Sequence, residues 1–323
     1  MKAFVLTTSG PRLTEHPTPS PRPGEVLIAV HAAALNRVDL AMLGGHVHGN
    51  AGGVGAALGV ELAGEVIEVG SQVTNVRVGQ RVMCAGAGAF AERAVVDAGR
   101  VLPVPEALDF TRAAALPVAL QTMHDAVVTN GHLAAEQTVL VQGASSGVGL
   151  MAMQIAKLLG ARWVAGSSTN DARRARLSEY GADLAFDSRD PGWVPRVLDA
   201  TQGQGVDLVI DQIGAPLAKQ NMLATKVHGR IVNVGRLGGM RGEFDFDLHA
   251  LRRISYVGVT FRTRTREELR AVTEVTRAAL YEPLVAGALT LPIDRVFQFD
   301  DIEAALAHMR ADQHFGKIVV RIH

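Results

Sequence analysis

The chain has 323 residues, 48% hydrophobic and 20% charged, a composition that suits folded globular protein and is too apolar for a disordered one. Its 32 basic residues balance its 32 acidic ones, so no overall charge draws it to nucleic acid or anionic lipid, and its one cysteine, Cys84, excludes an internal disulfide or a multi-cysteine zinc site. No apolar run is long enough to span a bilayer, and Met1–Thr7 reads as a strand rather than a signal peptide, so a cytoplasmic protein with no membrane or nucleic-acid partner is expected.

In chain order, Pro17-Thr18-Pro19-Ser20-Pro21-Arg22-Pro23-Gly24 reads as a stiff surface connection, because proline cannot sit inside a helix or central strand. Short β-branched runs follow at Glu25–Val30, Gly64–Val69 and Arg93–Val96, with turns at Gly70, Gly79 and Gly86. This pattern predicts a compact, partly open β-barrel over residues 1–116. From 117 to 282 strands alternate with helices. Thr138–Val141 is an apolar run fit for a parallel strand buried on both faces. Val148, Met151, Ala152, Ile155, Leu158 and Leu159 then recur at helical spacing until Gly160 closes the helix. Further strands are expected at 162–166, 183–187, 206–210, 230–234 and 254–260. Six strands with helical crossovers predict a doubly wound, six-stranded parallel sheet, making the chain an α/β protein of the Rossmann type. Residues 283–323 offer a strand, a helix near 301–309 and a last strand at Lys317–Val320, and are assigned back to the first domain.

The most informative stretch is Val139-Leu140-Val141-Gln142-Gly143-Ala144-Ser145-Ser146-Gly147-Val148-Gly149. A buried strand runs into a turn of small residues that opens an amphipathic helix, the setting a dinucleotide fingerprint requires. Small residues let the backbone approach a pyrophosphate, and the N–H groups and dipole of the helix favour its charge. The strict Gly-x-Gly-x-x-Gly spacing is not met, since the six positions read Ala144 to Gly149. About twenty residues on, an NAD site would need Asp or Glu at the tip of the second strand. The segment reads Gly166-Ser167-Ser168-Thr169-Asn170-Asp171-Ala172-Arg173-Arg174. Its hydroxyls and its cationic Arg173 or Arg174 favour the 2′-phosphate of NADPH.

These stretches, with Ala113-Ala114-Ala115-Leu116-Pro117, Ala34-Leu35-Asn36-Arg37-Val38-Asp39-Leu40 and Gly316-Lys317-Ile318-Val319, resemble the zinc-independent quinone oxidoreductase (zeta-crystallin-like) branch of the medium-chain dehydrogenases/reductases. The resemblance runs from Met1 to Ile322. It implies a GroES-like barrel, a Rossmann domain and a homodimer or homotetramer, with the strand near 254–260 pairing across the dimer. It also implies that Asn36 and Thr122 lie near the nicotinamide, their amide and hydroxyl fixing its carboxamide, that Ser146, Gly147 and Val148 cradle the pyrophosphate, and that Ser145 belongs to the cofactor site. Ser167, Ser168 and Arg173 would face the adenosine phosphate, Val234, Gly235 and Arg236 would edge the nicotinamide-side ribose, and Phe261 and Lys317 would complete the cofactor site. Lys317 could equally be an exposed strand end.

Asn36 and Val60 stand where zinc-dependent relatives carry a catalytic cysteine and histidine, so metal-free chemistry is expected. Relatives also place tyrosines at the cleft mouth, where this chain has Ala41 and Val47. His46 and His48, in a glycine-rich loop, are then the nearest alternative proton donors, or exposed residues with no task. The expected activity is NADPH-dependent reduction of quinones or of the C=C bond of α,β-unsaturated carbonyl compounds. The alternative is an NADPH-binding protein with little catalysis.

Overall fold

The structure, a computed structural model, describes residues 1–323. Strands in chain order are β1 (Lys2–Thr7), β2 (Gly10–Glu15), β3 (Glu25–Ala34), β4 (Glu61–Val69), β5 (Arg81–Ala85), β6 (Arg93–Asp97), β7 (Val101–Pro103), β8 (Thr138–Gln142), β9 (Trp163–Ser167), β10 (Leu184–Phe186), β11 (Val206–Asp211), β12 (Thr225–Asn233), β13 (Ser255–Gly258), β14 (Ile293–Gln298) and β15 (Lys317–Arg321). They fall into two units, Met1–Gln121 with Phe261–His323, and Thr122–Thr260.

The first unit is built around β3. Its first half pairs with β6 and its end pairs with β15, while β4 lies antiparallel along the other edge with two register shifts. Such irregularities bend a strand and let one sheet curl toward a barrel. The seven-stranded sheet runs β14-β15-β3-β4-β5-β7, with β6 added on β3, and β1 and β2 form a separate hairpin. Alternate inward residues such as Val26, Ile28, Val30, Leu62 and Val66 make its core with Phe4, Phe90 and Leu306. Cys84 is buried in that core, and burial pushes its thiol up to about 11, so it behaves as a small apolar residue.

The division differs from the expected boundaries at 116 and 283. The long helix Arg266–Val285 belongs to the barrel unit. It is started by Thr265, whose hydroxyl accepts the N–H of Glu268 while the Glu268 carboxylate accepts that of Thr265. Arg266 and Arg270 then reach Asp97 of the barrel at 3.0 and 2.8 Å. Helical patterning shows that this helix exists, but not which sheet it covers.

The second unit holds six parallel strands in the order β10-β9-β8-β11-β12-β13. All five residues of β8 are buried, as a central strand covered on both faces requires. The helix Gly147–Leu158 follows it; Leu150 and Met153 are buried beyond the expected stripe, while Leu158 is exposed. The core gathers Leu140, Val209 and Ile231 with Phe186 stacked on Trp193 at 5.0 Å. A parallel sheet whose order reverses beside its first strand opens a crevice at the carboxyl ends of those strands. That crevice is framed by the ends of β8 and β11.

Candidate functional site

In the second unit, the turn after β8 owes its shape to glycine. Gly143 has φ +71, and a Cβ on Gly149 would sit 2.6 Å from both Ala144 Cα and the Gly143 carbonyl. The turn and helix can approach only if that side chain is absent. Ser146 caps the helix: its Oγ accepts the Gly149 N–H at 3.1 Å and donates toward Gly143 O and Gln212 Oε1. Leu150 N–H bonds back to Ser146 O. Gly147 and Val148 therefore present first-turn N–H groups outside the intrahelical ladder, beside the positive end of a twelve-residue helix. The cradle fits a pyrophosphate, which would be held by backbone rather than by the Ser146 hydroxyl.

The neighbouring serines divide their work. Ser168, 5% exposed, has its Oγ 3.0 Å from Ser145 Oγ. Ser167 does not face a ligand as expected. It is 1% exposed, donates to Gln142 Oε1 at 2.6 Å and accepts the Gly143 N–H at 3.0 Å, so it braces the turn from inside. Arg173 sits on the helix Asp171–Ala175, its N–H donated to Asn170. Arg174 is the guanidinium bonded to the strand tip, on Ser168 O at 3.0 Å. Sequence reading misses Arg189, which bonds Thr169 O at 2.7 Å and pairs with Asp187 at 2.7 Å. Arg174 pairs with Asp171 at 2.8 Å, so the tip carries both signs, with three arginines against two aspartates.

Val234, Gly235 and Arg236 follow β12. The N–H groups of Val234 and Gly235 both reach Asp211 O, at 2.8 and 3.1 Å. Gln212, next in the chain, touches Ser146, so one short stretch after β11 links the two groups of expected cofactor residues. Burial raises the Asp211 carboxyl above its usual range despite bonds from Ile213, Gly214 and Asn233. Thr122 lies half-buried on the helix Pro117–His124. Burial lowers the His124 pKa, as expected of a packed rather than a proton-donating imidazole.

The first unit holds a second cluster. Lys317, expected as a cofactor-site residue or an exposed strand end, is 5% exposed. Its Nζ lies 2.6 Å from Glu61 Oε2 and donates to Asn36 Oδ1 at 2.9 Å. Asn36 Nδ2 donates to the same Glu61 oxygen at 3.0 Å, while Glu61 Oε1 accepts the Val118 N–H at 2.6 Å. Glu61 is fully buried, and it sits at a helix N-terminus where a carboxylate is favoured. Asp39 adds a cap, accepting the Asn36 N–H at 2.6 Å; its other oxygen is buried without a partner, and burial pushes the carboxyl up to about 7. The arrangement does not fit a zinc ion. Asn36 and Val60 supply no thiolate or imidazole, Glu61 is engaged by Lys317, and His46, His48 and Glu61 do not gather into a ligand group.

His46 is exposed, with Nδ1 3.2 Å from Ala41 O. His48 exchanges backbone bonds with Ala51, and burial, then the Arg262 charge, lowers its pKa, so the ring favours its neutral form. Phe261 lies at the start of the returning segment, with Arg264 over its ring at 4.9 Å. Ala41 and Val47 are exposed.

Two family signatures match, an alcohol dehydrogenase GroES-like domain over residues 22–106 and a zinc-binding dehydrogenase domain over 147–277. A probable oxidoreductase from Mycobacterium abscessus is 31% identical, with TM-score 0.85, over 100% of this chain and 99% of that one. A mycobacterial quinone oxidoreductase is 25% identical with TM-score 0.88, and a mycobacterial protein solved with NADPH is 25% identical with TM-score 0.89, each over the full length of both chains. Among curated proteins, the highly reducing polyketide synthase claI of Penicillium crustosum is 30% identical over 92% of this chain, which spans only 13% of that protein. The Asn36 and Val60 substitutions, the glycine turn and these likenesses together carry one conclusion: the chain belongs to the zinc-independent, quinone-oxidoreductase-like branch of the medium-chain dehydrogenase/reductase superfamily.

Proposed function

We propose that the chain is an NADPH-dependent, metal-free reductase of α,β-unsaturated carbonyl compounds, with quinones as the related second substrate class. The observation that carries this is the free first-turn backbone of the Gly147 helix, set beside a strand tip bearing Ser168, Arg174 and Arg189. Gly147 and Val148 would hold the pyrophosphate; Ser145, Ser168 and the three arginines, Arg173 included, would hold the 2′-phosphate. Val234, Gly235 and Arg236 would meet the ribose, with Thr122 of the same unit serving the nicotinamide end. The bound cofactor supplies hydride.

An enone fits better than a free carbonyl because no Lewis acid is required when the accepting carbon is already electron-poor. Likeness to highly reducing polyketide synthases favours the same choice, since reduction of an enoyl C=C is the matching chemistry. The protein's tasks are then to place the substrate, exclude competing water and deliver one proton. His46 suits that delivery better than His48, whose depressed pKa leaves little imidazolium at neutral pH; without it, water is the donor. A homodimer through the outer edge of β13 is part of the same reading. That strand pairs only with β12, and Leu237, Met240, Phe246 and Leu251 of this unit are exposed.

The test is NADPH consumption against paired quinones and enones, with product identification. A saturated ketone formed from the enone at the rate of NADPH loss is expected. Tight NADPH binding with no turnover on either class would replace the reductase by a nucleotide-binding protein with little catalysis.

A further inference from the structure

We propose that the second unit carries a binding site for a single-ring aromatic carboxylate, in a cavity of about 180 Å³ framed by the segment after β11, the strands β12 and β13 and the loop 236–244. A cavity of about 150 Å³ holds a benzene ring, so there is room for one ring and a small substituent. The walls are fixed before a ligand arrives. Gly238 N–H bonds to Ile213 O at 2.8 Å and Ala215 N–H to Gly239 O at 3.2 Å, which pins the loop to the segment after β11. A Cβ on Gly214 would sit 2.8 Å from Gly239 O, so this close approach depends on glycine. Tyr256 stands edge-on to Phe244 at 5.7 Å, and both pack on the core of Met222 and Ile231. None of the lining residues belongs to the turn or the helix that form the pyrophosphate cradle.

The polar groups select the charge of the ligand. Arg236 is half-buried and its charge reaches both Asp211 and Tyr256, yet it forms no ion pair; its side chain bonds only Val234 O, at 3.4 Å. Asp211 does not complete it. That carboxylate is fully buried, with Oδ1 accepting the N–H groups of Ile213 and Gly214 and Oδ2 accepting from the Asn233 amide. A guanidinium partly withdrawn from water lacks acceptors, and its planar fork matches a carboxylate through two parallel bonds. Tyr256 supplies another donor. Its hydroxyl has no partner in the protein, and burial, then the Asp211 charge, pushes it up to about 12, so it keeps its proton. The ring of the ligand would lie against Tyr256 and Phe244. Glu243 also lines the cavity, but it is exposed, where water screens its charge. The Arg236 backbone stays available to a ribose, and the site stands whether or not the chain is a reductase.

The test is calorimetric titration of the full chain with benzoate and with benzylamine, its cationic counterpart. One benzoate per chain is expected, with no saturable binding of benzylamine and the same benzoate affinity when NADPH is present in excess. Benzoate should bind about tenfold more weakly to Arg236→Met and about fivefold more weakly to Tyr256→Phe, the scale of one bond to a charged group. Tyr256→Phe keeps the ring and its packing, so the comparison survives if Arg236→Met folds poorly. Ala218→Leu, which places a side chain in the cavity from its 6% exposed position, should abolish binding. Absence of benzoate binding, unchanged affinity in Arg236→Met, a preference for benzylamine or displacement of benzoate by NADPH would each overturn the site. So would an affinity that falls as the protein is concentrated. Met240, 85% exposed at the cavity, lies on the face read above as a dimer contact, and a second copy would then close the site. Benzoate binding with no binding of NADPH would support the site and remove the reductase reading alone.

Discussion

The two clusters achieve order by opposite means. Around Gly147 the functional groups are backbone N–H donors, fixed by a helix start and by the absence of a side chain at Gly149. Around Asn36 they are side chains, fixed by an almost fully buried ion pair. A backbone site tolerates exchange of its neighbours but not added volume. A buried charge pair does not tolerate loss of one partner, because the other is then left unpaired in a medium that solvates it poorly.

The difference can be broken most forcefully at Glu61. Glu61→Ala strands Lys317 and the Val118 N–H, and is expected to destabilise the protein by about 3–5 kcal/mol in urea unfolding. A loss below about 1 kcal/mol would mean that the pair is not buried in solution. Next is Gly149→Ala. Its Cβ meets backbone rather than a movable side-chain tip, so a cost of about 1–3 kcal/mol is expected, together with weaker NADPH binding; unaltered melting and affinity would show that the turn is looser than described.

Smaller still is the strand tip. Arg174→Ala and Arg189→Ala should each weaken NADPH about tenfold and leave NADH nearly unchanged, consistent with loss of one charge-assisted bond. Equal losses for both nucleotides would assign these arginines to the fold, through Ser168 O and Thr169 O, rather than to the phosphate.

A separate test concerns pH. The Asp39 carboxyl is raised from 3.8 to about 7, so the folded state keeps a proton that the unfolded chain releases. Its contribution therefore makes stability fall as pH rises from about 4 to 7. Asp39→Asn retains an acceptor for the Asn36 N–H and removes the titration, so the pH slope of its unfolding free energy should flatten in that window. Parallel slopes for wild type and variant would contradict the raised value.

The same contrast separates what is legible in the amino-acid sequence from what is not. The six-stranded parallel sheet and the barrel strands follow from residue periodicity and glycine placement. The backbone site is legible because small residues after a buried strand are themselves the functional feature. Its braces are less so: Ser167 and Ser168 are adjacent and chemically identical, and only the fold decides that one bonds Gln142 and the other Ser145. Arg189 escapes notice because the tip of β10 meets the tip of β9 only in the folded sheet. Glu61 and Lys317 lie 256 residues apart, and a lysine beginning a terminal strand carries no local sign of burial. The one available signal is a glutamate opening the apolar run Leu62-Ala63, where an unpaired charge would be costly.

Calorimetric titration of the purified chain with NADPH and with NADH, in the wild type and in Arg174→Ala, puts the cofactor assignment to trial. One molecule of NADPH per chain, bound at least tenfold tighter than NADH and losing that advantage in the variant, is the expected result. Equal affinities in the wild type, or no binding heat from NADPH at any temperature, would contradict it.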